Sequence, residues 1–369
     1  MKNLARSILP TNVKVIIRNT MAKFDSVMSR CFKHRLLRSK ASWFYHWFNS
    51  QFDREQLAVL AGRNAYEQNQ GIGSQSSSLL RRNTHRIEKG LSMSPRRAIF
   101  AQEYILETVD CFALCIDLTQ LCNEELSWAH DVLSYYFKVV KHTDVISDAN
   151  FIFESAQARY TAKYITARDS VSSLDQTPKI PYTKHQLIKS DISAEQFHSL
   201  CVQRRSVRWF TDELVPDEIL NQAITTAALA PSACNRQPFN FYVANETELA
   251  TQVAKLAGGT VGFAENIPCT IVVVGDLSAY ALERDRHLIY LDGALAAMQL
   301  MLALETLGLS SCPINWPDIE VPENKMAKLL KLESYQRPIM LIAIGYAKES
   351  GMIPYSQKKT IAVLRKDIH

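Results

Sequence analysis

The sequence lacks the features that mark metal proteins, membrane-spanning proteins and secreted proteins. Its eight cysteines form no Cys-x-x-Cys pair, and no group of His and Cys residues has the spacing of metal ligands. Free, buried thiols in a reducing compartment are therefore expected, with no metal site. The chain has no uninterrupted apolar run of about 18 residues, the length that a helix needs to cross a bilayer. It also begins without the apolar core and cleavage site of a secretory signal, so we expect a cytoplasmic protein.

Acidic residues are nearly absent from residues 1–52. This segment contains one acid, Asp25, and the following cations: Lys2, Arg6, Lys14, Arg18, Lys23, Arg30, Lys33, Arg35, Arg38 and Lys40. Aromatic side chains follow between Trp43 and Phe48. Such a segment can lie peripherally on the inner face of the membrane, but it can equally be a solvated arm or dock on the rest of the protein. No nucleic-acid recognition pattern accompanies the charge, so no nucleic acid is expected as a partner.

The overall composition is that of an ordinary globular protein. Hydrophobic residues make up 47% of the sequence and charged residues 21%, which provides enough apolar material for a large core. A chain of 369 residues is expected to form about two domains.

Helical periodicity dominates the front half of the chain. The pattern predicts helices over Asp53–Asn69, Ala98–Leu118, Glu124–Val140 and Asn150–Ala167. Because no strand pattern competes with them, we predict an all-α domain over residues 53–170.

A further helix is predicted over Leu79–Met93, with Gly90 as its stop. Its helical spacing places four cationic or titratable residues on one face: Arg82, His85, Arg86 and Lys89. This face is either an exposed basic surface or a surface that closes over an anionic part of a substrate or cofactor.

Prolines mark the boundary between the two halves. Pro178 and Pro181 cannot continue a helix, so we expect a linker over residues 171–191 and a second domain over 192–369. Ser193 and Gln196 have the spacing of a capping box for a helix that ends before Arg204.

Strands and helices alternate in this second domain. Phe239–Ala244, Cys269–Asp276 and Ile339–Tyr346 are predicted strands, and the last two are apolar enough to be buried on both faces. Asp292–Leu307 is apolar all round and predicts a helix buried in the core or at a dimer seam. The pattern predicts an α+β sandwich whose central mixed sheet is flanked by helices.

Two motifs on either side of one helix carry the chemistry. Arg204, Arg205 and Arg208 surround the hydroxyl of Ser206, which suits a phosphate that needs several donors. The predicted helix Asp217–Leu229 follows, and Pro231 stops it. The next loop, Ala230–Phe239, contains Pro-Ser-x-x-Asn-x-Gln-Pro, whose small and amide side chains can bring the backbone close to a planar ring. We call the run of residues 204–210 the basic motif and this loop the second motif.

In this order, the two motifs resemble those of the nitroreductase family of FMN-dependent oxidoreductases. The resemblance implies a homodimer with FMN at the interface, where the second motif reaches the flavin of the partner subunit. It also implies that backbone near Asn315 or Trp316 faces flavin N5 and that a C-terminal basic pair completes the phosphate site. The implied cofactor-binding residues are Arg204, Arg205, Ser206, Arg208, Pro231, Ser232, Ala233, Asn235, Gln237, Pro313, Ile314, Asn315, Trp316, Lys358 and Lys359.

The resemblance implies hydride transfer through flavin N5, with NAD(P)H as co-substrate and no catalytic side chain. The acceptor is an unidentified small or saccharide-linked molecule. Arg236 is a candidate for stabilising the reduced flavin. The alternative function is a flavin-binding or non-catalytic module of a membrane-surface polysaccharide biosynthesis assembly. It rests on the stretch Arg81–Leu91, which, ahead of such a domain, resembles nitroreductase-like proteins of bacterial polysaccharide loci.

The chain departs from the family where many members have a helical insertion over the active site. Only Leu277–Leu291 separates the second strand from the long helix. We therefore expect the roof to come from elsewhere, and the front domain is the candidate lid.

Overall fold

The computed structural model describes residues 23, 26–27, 30–32, 38–48, 50–73, 75–165 and 177–368. The chain forms two compact units, Met1–Leu57 and Ala58–His369. Most of the basic residues noted in the first 52, together with Asp25 and part of the expected linker, lie outside the described residues.

The first unit contains helix α1 (Arg38–Phe48). Trp43 and Trp47 lie one turn apart on it, with ring centroids separated by 5.5 Å, and both indoles are exposed. Helix α2 (Asp53–Asn69) begins where it was predicted, with Asp53 and Glu55 in its first turn.

The front part of the second unit is helical, as predicted. Its helices after α2 are α3 (Ser78–Leu91), α4 (Ile105–Asp117), α5 (Asn123–Val139) and α6 (Asp144–Tyr160). Their apolar faces bury a core that includes Ile87, Phe112 and Tyr136. This core contains no strand residue, which agrees with the predicted all-α architecture of this region.

Several helix boundaries differ from the prediction, and three of them have a clear structural consequence or cause. Residues 98–104 are not helical, so α4 begins at Ile105 rather than Ala98. Helix α6 begins earlier than predicted because the Thr143 hydroxyl accepts a hydrogen bond from the N–H of Ile146 and caps the helix there. Gly90 does not stop α3: a Cβ at this position would lie 2.4 Å from the Phe100 ring, so the glycine permits close packing.

The back part of the second unit is an α+β domain, as predicted. Its helices are α7 (Ala194–Gln203), α8 (Asp217–Ala227), α9 (Thr247–Ala254), α10 (Leu288–Thr306), α11 (Glu320–Leu330) and α12 (Ile361–Leu364). The capping box of Ser193 and Gln196 is present at the start of α7.

The sheet contains β1 (Phe239–Ala244), β2 (Cys269–Asp276), β3 (Ser310–Asn315) and β4 (Gln336–Gly345). Its strand order is β1-β2-β4-β3 and every neighbouring pair is antiparallel. The expectation of a mixed sheet is therefore wrong for these strands, although Ser206 makes an isolated parallel bridge to Ser311. Strand β3 was not predicted, because it contains Pro313, which is tolerated in a sheet mainly at an edge.

Helices cover both faces of the sheet. One core lies between the sheet and α9, and the other lies between the sheet and helices α8 and α10. This double covering explains why β2 is buried along almost its whole length. All eight cysteines are free, as expected, but Cys122 is exposed and only Cys111, Cys115, Cys269 and Cys312 are buried.

Helix α10 keeps one apolar stripe on the surface. Leu291, Ala294, Leu295 and Met298 recur at helical spacing and are exposed, while the opposite side packs on the sheet and α8. Among the described residues, one helical stretch, Glu283–Thr306, is long and apolar enough to cross a bilayer. Half of its apolar window is buried within the protein, as in a core helix.

Substitution of Gly62 tests the contact between α2 and the end of β2. A Cβ at Gly62 would lie 2.6 to 2.8 Å from the Cβ, C and O atoms of Leu277, and backbone cannot move aside as a flexible side chain can. We expect Gly62→Ala to lower the free energy of unfolding by about 1–3 kcal/mol in a urea titration, despite the better helix propensity of alanine. Gly258→Ala is the control, because its Cβ would meet nothing within 4 Å. Equal stability of the two variants would contradict this packing.

Candidate cofactor-binding site

The basic motif follows α7 and runs beside strand β3. The N–H of Val207 donates to the carbonyl of Ser311 at 3.1 Å, which aligns this run with the sheet edge. Arg208 donates to the carbonyl of Ser206 at 3.3 Å, and its guanidinium lies 5.8 Å from the centroid of the Phe263 ring. The sheet edge therefore fixes the backbone that carries the three arginines.

The side chains of this motif lie close to Cys312. Burial raises the pKa of the Cys312 thiol, while the charges of Arg208 and Arg204 and a hydrogen bond with Ser206 act to lower it. The charges of Arg204 and Arg208 and the Ser206 hydroxyl thus all act on Cys312, and Ser206 lies opposite Ser311 at the same sheet edge. The structure thus brings together the residues that the sequence assigned to a phosphate.

Two polar atoms at this edge are buried without a hydrogen-bond partner among the described residues: Arg204 Nε and Ser311 Oγ. Buried polar groups in native proteins are nearly always paired, so each unpaired one needs an explanation. An N–H and an O–H donor beside further cations fit an anionic group of a ligand. Arg205 is half-buried in the same run.

The second motif forms a tight loop between α8 and β1. Cys234, Asn235 and Gln237 have φ values of 55°, 52° and 50°, in the left-handed region that L-residues rarely occupy. The hydroxyl of Ser232 accepts from the N–H of Gln237 at 3.0 Å and closes the loop on itself.

Asp292 anchors the loop to α10. Its Oδ2 accepts from the N–H of Ala233 at 2.9 Å, and its side chain is buried. Burial raises the pKa of this carboxyl, while the hydrogen bond from Ala233 and the charge of Arg236 act to lower it. No sequence pattern singled out Asp292, because its partner is 59 residues away in the chain.

Gln237 holds the loop with both ends of its side-chain amide. Its Nε2 donates to the carbonyl of Ala228 at 2.6 Å, and its Oε1 accepts from Arg81 Nη2 at 2.9 Å. Arg81 Nε also donates to the carbonyl of Asn235 at 2.8 Å. Within this chain, the Gln237 amide is therefore engaged in shaping the loop, and the side chains of Ser232 and Asn235 are the groups of the motif that remain for a cofactor.

Arg236 packs over the ring of Tyr280, with 4.9 Å between the guanidinium carbon and the ring centroid. Arg236 Nε and the Tyr280 hydroxyl are both buried without a hydrogen-bond partner among the described residues. Burial, followed by the charge of Asp292, raises the pKa of Tyr280, so the phenol stays protonated at neutral pH. Arg236 is thus a half-buried cation with a free donor, rather than a solvated one.

The predicted basic face of α3 is not a uniform cationic surface. His85 Nδ1 lies 3.4 Å from Glu88 Oε2, and Arg86 stacks on the Tyr104 ring at 3.6 Å. Arg82 is close to Tyr66: burial raises the pKa of the Tyr66 phenol, and the charge of Arg82 acts to lower it. Lys89 is exposed. The side chain of α3 that reaches the second motif is Arg81, which lay outside the predicted face.

The remaining predicted residues are spread along the sheet and the C-terminal segment. Pro313, Ile314 and Asn315 belong to β3, and Trp316 follows it with its Nε1 donating to Glu323 Oε1 at 2.6 Å. A buried Arg337 lies 3.3 Å from the other oxygen of Glu323. Lys358 and Lys359 are exposed between β4 and α12, and their part in a phosphate site stays a prediction.

The two motifs lie at opposite ends of the sheet within one chain. The second motif leads into β1 at Phe239, which pairs with Gly275 and, through it, with Arg337 of β4. The basic motif bridges to Ser311, which pairs with Ile344. Arg337 and Ile344 are seven positions apart, which corresponds to about 23 Å of strand. Within one chain, strand β4 thus holds the two motifs about 23 Å apart along its length.

The segment between β2 and α10 is even shorter than predicted, because α10 already begins at Leu288. Helix α2 covers the start of this segment through the contact of Gly62 with Leu277. Helix α2 of the front part therefore packs on this segment, and the role of the front domain as a lid stays a prediction.

Comparison with known proteins defines the class of this α+β domain. The Nitroreductase family model matches residues 201–261 and 250–346. Iodotyrosine deiodinase from Haliscomenobacter hydrossis is 23% identical over 215 residues, which cover 50% of this chain and 95% of that protein. Iodotyrosine deiodinase 1 from Homo sapiens is 21% identical over 212 residues, which cover 49% of this chain and 70% of that protein.

A solved structure, the FMN-dependent nitroreductase from Clostridium difficile R20291, has 25% sequence identity and a TM-score of 0.40 over 46% of this chain and 98% of that chain. The C-terminal half of this chain is a nitroreductase-family domain, as its motifs predicted. Its function is of the oxidoreductase type.

Removal of the Asp292 carboxylate tests the anchor between α10 and the loop. Asp292→Ala leaves the N–H of Ala233 without its partner, and we expect the free energy of unfolding to fall by about 1–3 kcal/mol in denaturant titrations. Asp212→Ala, at an exposed position, provides the control and should change stability little. A similar effect of both substitutions would argue against the anchor.

Proposed function

We propose that the protein is a homodimeric FMN-dependent oxidoreductase that takes electrons from NAD(P)H and reduces, or dehydrogenates, a small or saccharide-linked substrate. The observation that carries the proposal is the group of cations and buried, unpaired donors at the edge of β3. The nitroreductase-family match of this part of the chain supports FMN as the group that those donors hold.

The residues at the sheet edge fit the phosphate of FMN. Arg204, Ser206 and Arg208 supply two cations and a hydroxyl near Cys312, and Arg204 Nε has no partner among the described residues. A phosphate oxygen would satisfy this donor and offset the cost of burying it. Ser311 Oγ offers a further donor from the strand itself.

Within the proposed site, this chain binds and orients the cofactor. When bound, FMN supplies the two-electron redox chemistry, so no side chain has to act as a nucleophile. The side chains of Ser232 and Asn235, presented by the 232–237 loop, would orient the ring system. The free donor of Arg236 and the protonated hydroxyl of Tyr280 would stabilise negative charge near that loop.

The separation of the two motifs supports a homodimer. If both contact one FMN, they must come from different chains, because the length of β4 keeps them apart within one chain. The exposed stripe of α10, including Leu291 at 58% and Leu295 at 49% exposure, provides an apolar surface for association. We assign this stripe to the subunit interface.

For the location of the protein, we propose the cytoplasm, with the first unit resting on the inner face of the membrane. The exposed indoles of Trp43 and Trp47 and the excess of cations in residues 1–52 support this contact. Aromatic rings at the headgroup level and cations near anionic lipids are the usual elements of such binding.

Loss of the sheet-edge cations should weaken FMN binding. Each charge-assisted bond to phosphate contributes roughly 1.5–3 kcal/mol, so Arg204→Ala combined with Arg208→Ala should raise the Kd for FMN by roughly 100-fold or more. The quenching of flavin fluorescence on binding measures this Kd. A charge-matched control, Lys325→Ala with Lys328→Ala on the exposed side of α11, should bind FMN as the wild type does. Wild-type affinity in the Arg204 and Arg208 variant would refute the phosphate assignment.

Disruption of the α10 stripe should remove FMN together with the dimer. Leu295→Glu places a charge in the proposed interface, and we expect a monomer without bound flavin in light scattering and absorbance measurements. Ile188→Glu changes an apolar residue that is 93% exposed outside α10, and it should leave a dimer with FMN. A Leu295→Glu monomer that retains full FMN content would show that one chain is sufficient.

A further inference from the structure

One guanidinium joins the front helices to the loop that carries the second motif. Arg81, on α3, donates from Nε to the carbonyl of Asn235 at 2.8 Å and from Nη2 to Gln237 Oε1 at 2.9 Å. Its side chain is only 15% exposed. The contact therefore belongs to the packed interior rather than to a solvated surface.

The front helices hold Arg81 in place from behind. Its Nη1 lies 3.2 Å from Glu125 Oε2, and the Glu125 side chain is 1% exposed. Glu125 also accepts from the N–H of Ser77 at 2.8 Å and from the hydroxyl of Ser76 at 2.7 Å. Because the buried carboxylate is hydrogen-bonded at both oxygens, it fixes the position of the arginine.

The loop that Arg81 contacts is one that requires support. Cys234, Asn235 and Gln237 hold left-handed backbone conformations, and such residues persist only where the surroundings impose them. Arg81 bonds to two of these three residues. The other restraints on the loop come from within its own domain, at Ala228 and Asp292.

We propose that Arg81 is a positioning residue of the cofactor site, which holds the 232–237 loop in the conformation that contacts the flavin. The front helical region is thus part of the site, although its sequence lies outside the family motifs. The effect of Arg81 on cofactor binding rests on the proposed FMN function. The hydrogen bonds of Arg81 to Asn235 and Gln237, here called the clamp, can be tested without any cofactor. Arg82, His85, Arg86 and Lys89 do not supply it, because among the described residues the hydrogen bonds from α3 to the loop come from Arg81.

Only an arginine satisfies these contacts together. The planar guanidinium directs three different nitrogens at Asn235, Gln237 and Glu125. A lysine amine keeps the charge beside Glu125 but cannot reproduce this divergent set of donors. Arg81→Lys therefore separates the geometry of the clamp from its charge.

The first experiment measures hydrogen exchange in the apoprotein of the full chain. The N–H groups of Ala233, Asn235, Arg236 and Gln237 all donate within the protein, so a peptide over residues 231–238 reports the order of the loop. We expect this peptide to exchange at least tenfold faster in Arg81→Lys and Arg81→Gln than in the wild type. The control is Arg159→Lys, which alters a surface pair with Asp117 in the same helical region and should leave exchange in this peptide unchanged.

The second experiment measures the consequence for the cofactor. We expect both Arg81 variants to have at least a tenfold higher Kd for FMN and an altered visible circular dichroism spectrum of the bound flavin. Arg159→Lys should match the wild type in both measurements. The thermal midpoint of each apoprotein shows whether a change is confined to the loop.

The possible results test the Arg81 contacts with the loop separately from the proposed FMN function. Unchanged exchange of residues 231–238 in both Arg81 variants overturns the clamp, whatever the cofactor does. Faster exchange with wild-type FMN affinity and spectrum overturns its role at the site. A wild-type protein that binds no FMN refutes the proposed function, while the exchange experiment still decides the clamp. If the Arg81 variants do not fold, Gln237→Leu, which removes one of the two loop acceptors, should show the same faster exchange, and unchanged exchange there would overturn the proposal.

Discussion

The length of the buried strand β4 sets the arrangement of the whole site. Its ends pair with different partners, Asp276 of β2 at one end and Ser310 of β3 at the other. Each motif is attached to one of these ends. Helices pack on both faces of the sheet, so a ligand cannot reach from one end to the other through the core. The two motifs are therefore presented at separate surfaces, which is the geometry that a cofactor shared between two chains requires.

The two motifs differ in how the protein supports them. The sheet edge supports the basic motif directly, because Ser206 forms a parallel bridge with Ser311 and the N–H of Val207 donates to the Ser311 carbonyl. The loop of the second motif has unfavourable backbone angles and depends on side chains from distant elements, Asp292 of α10 and Arg81 of α3. The conformation of this loop is consequently sensitive to changes far from it in sequence.

Sequence patterns predicted those features that are encoded locally. The capping box at Ser193, the helix over Asp53–Asn69 and the apolar strand β2 all depend on neighbouring residues, and the structure contains each of them. Strand β3 was missed because Pro313 is unfavourable in a strand unless tertiary structure places it at an edge. Arg81 was missed for a different reason: its loop partners are 154 and 156 residues away, and no local pattern distinguishes it from the arginine that follows it.

Because the front helices support the loop, removal of the front region would affect more than one feature of the site. A chain that began near Ser190 would lose helix α2, which covers Leu277, and Arg81 together with Glu125. A change in its flavin chemistry could then come either from the loss of α2 over Leu277 or from a less ordered 232–237 loop. Point substitutions separate these two roles, because Arg81→Lys leaves α2 in place and Gly62→Ala leaves the Arg81 contacts in place. The front region acts as a lid if Gly62→Ala alters the reactivity of the bound flavin while hydrogen exchange in residues 231–238 stays that of the wild type. A change in both would not distinguish a lid from support of the loop.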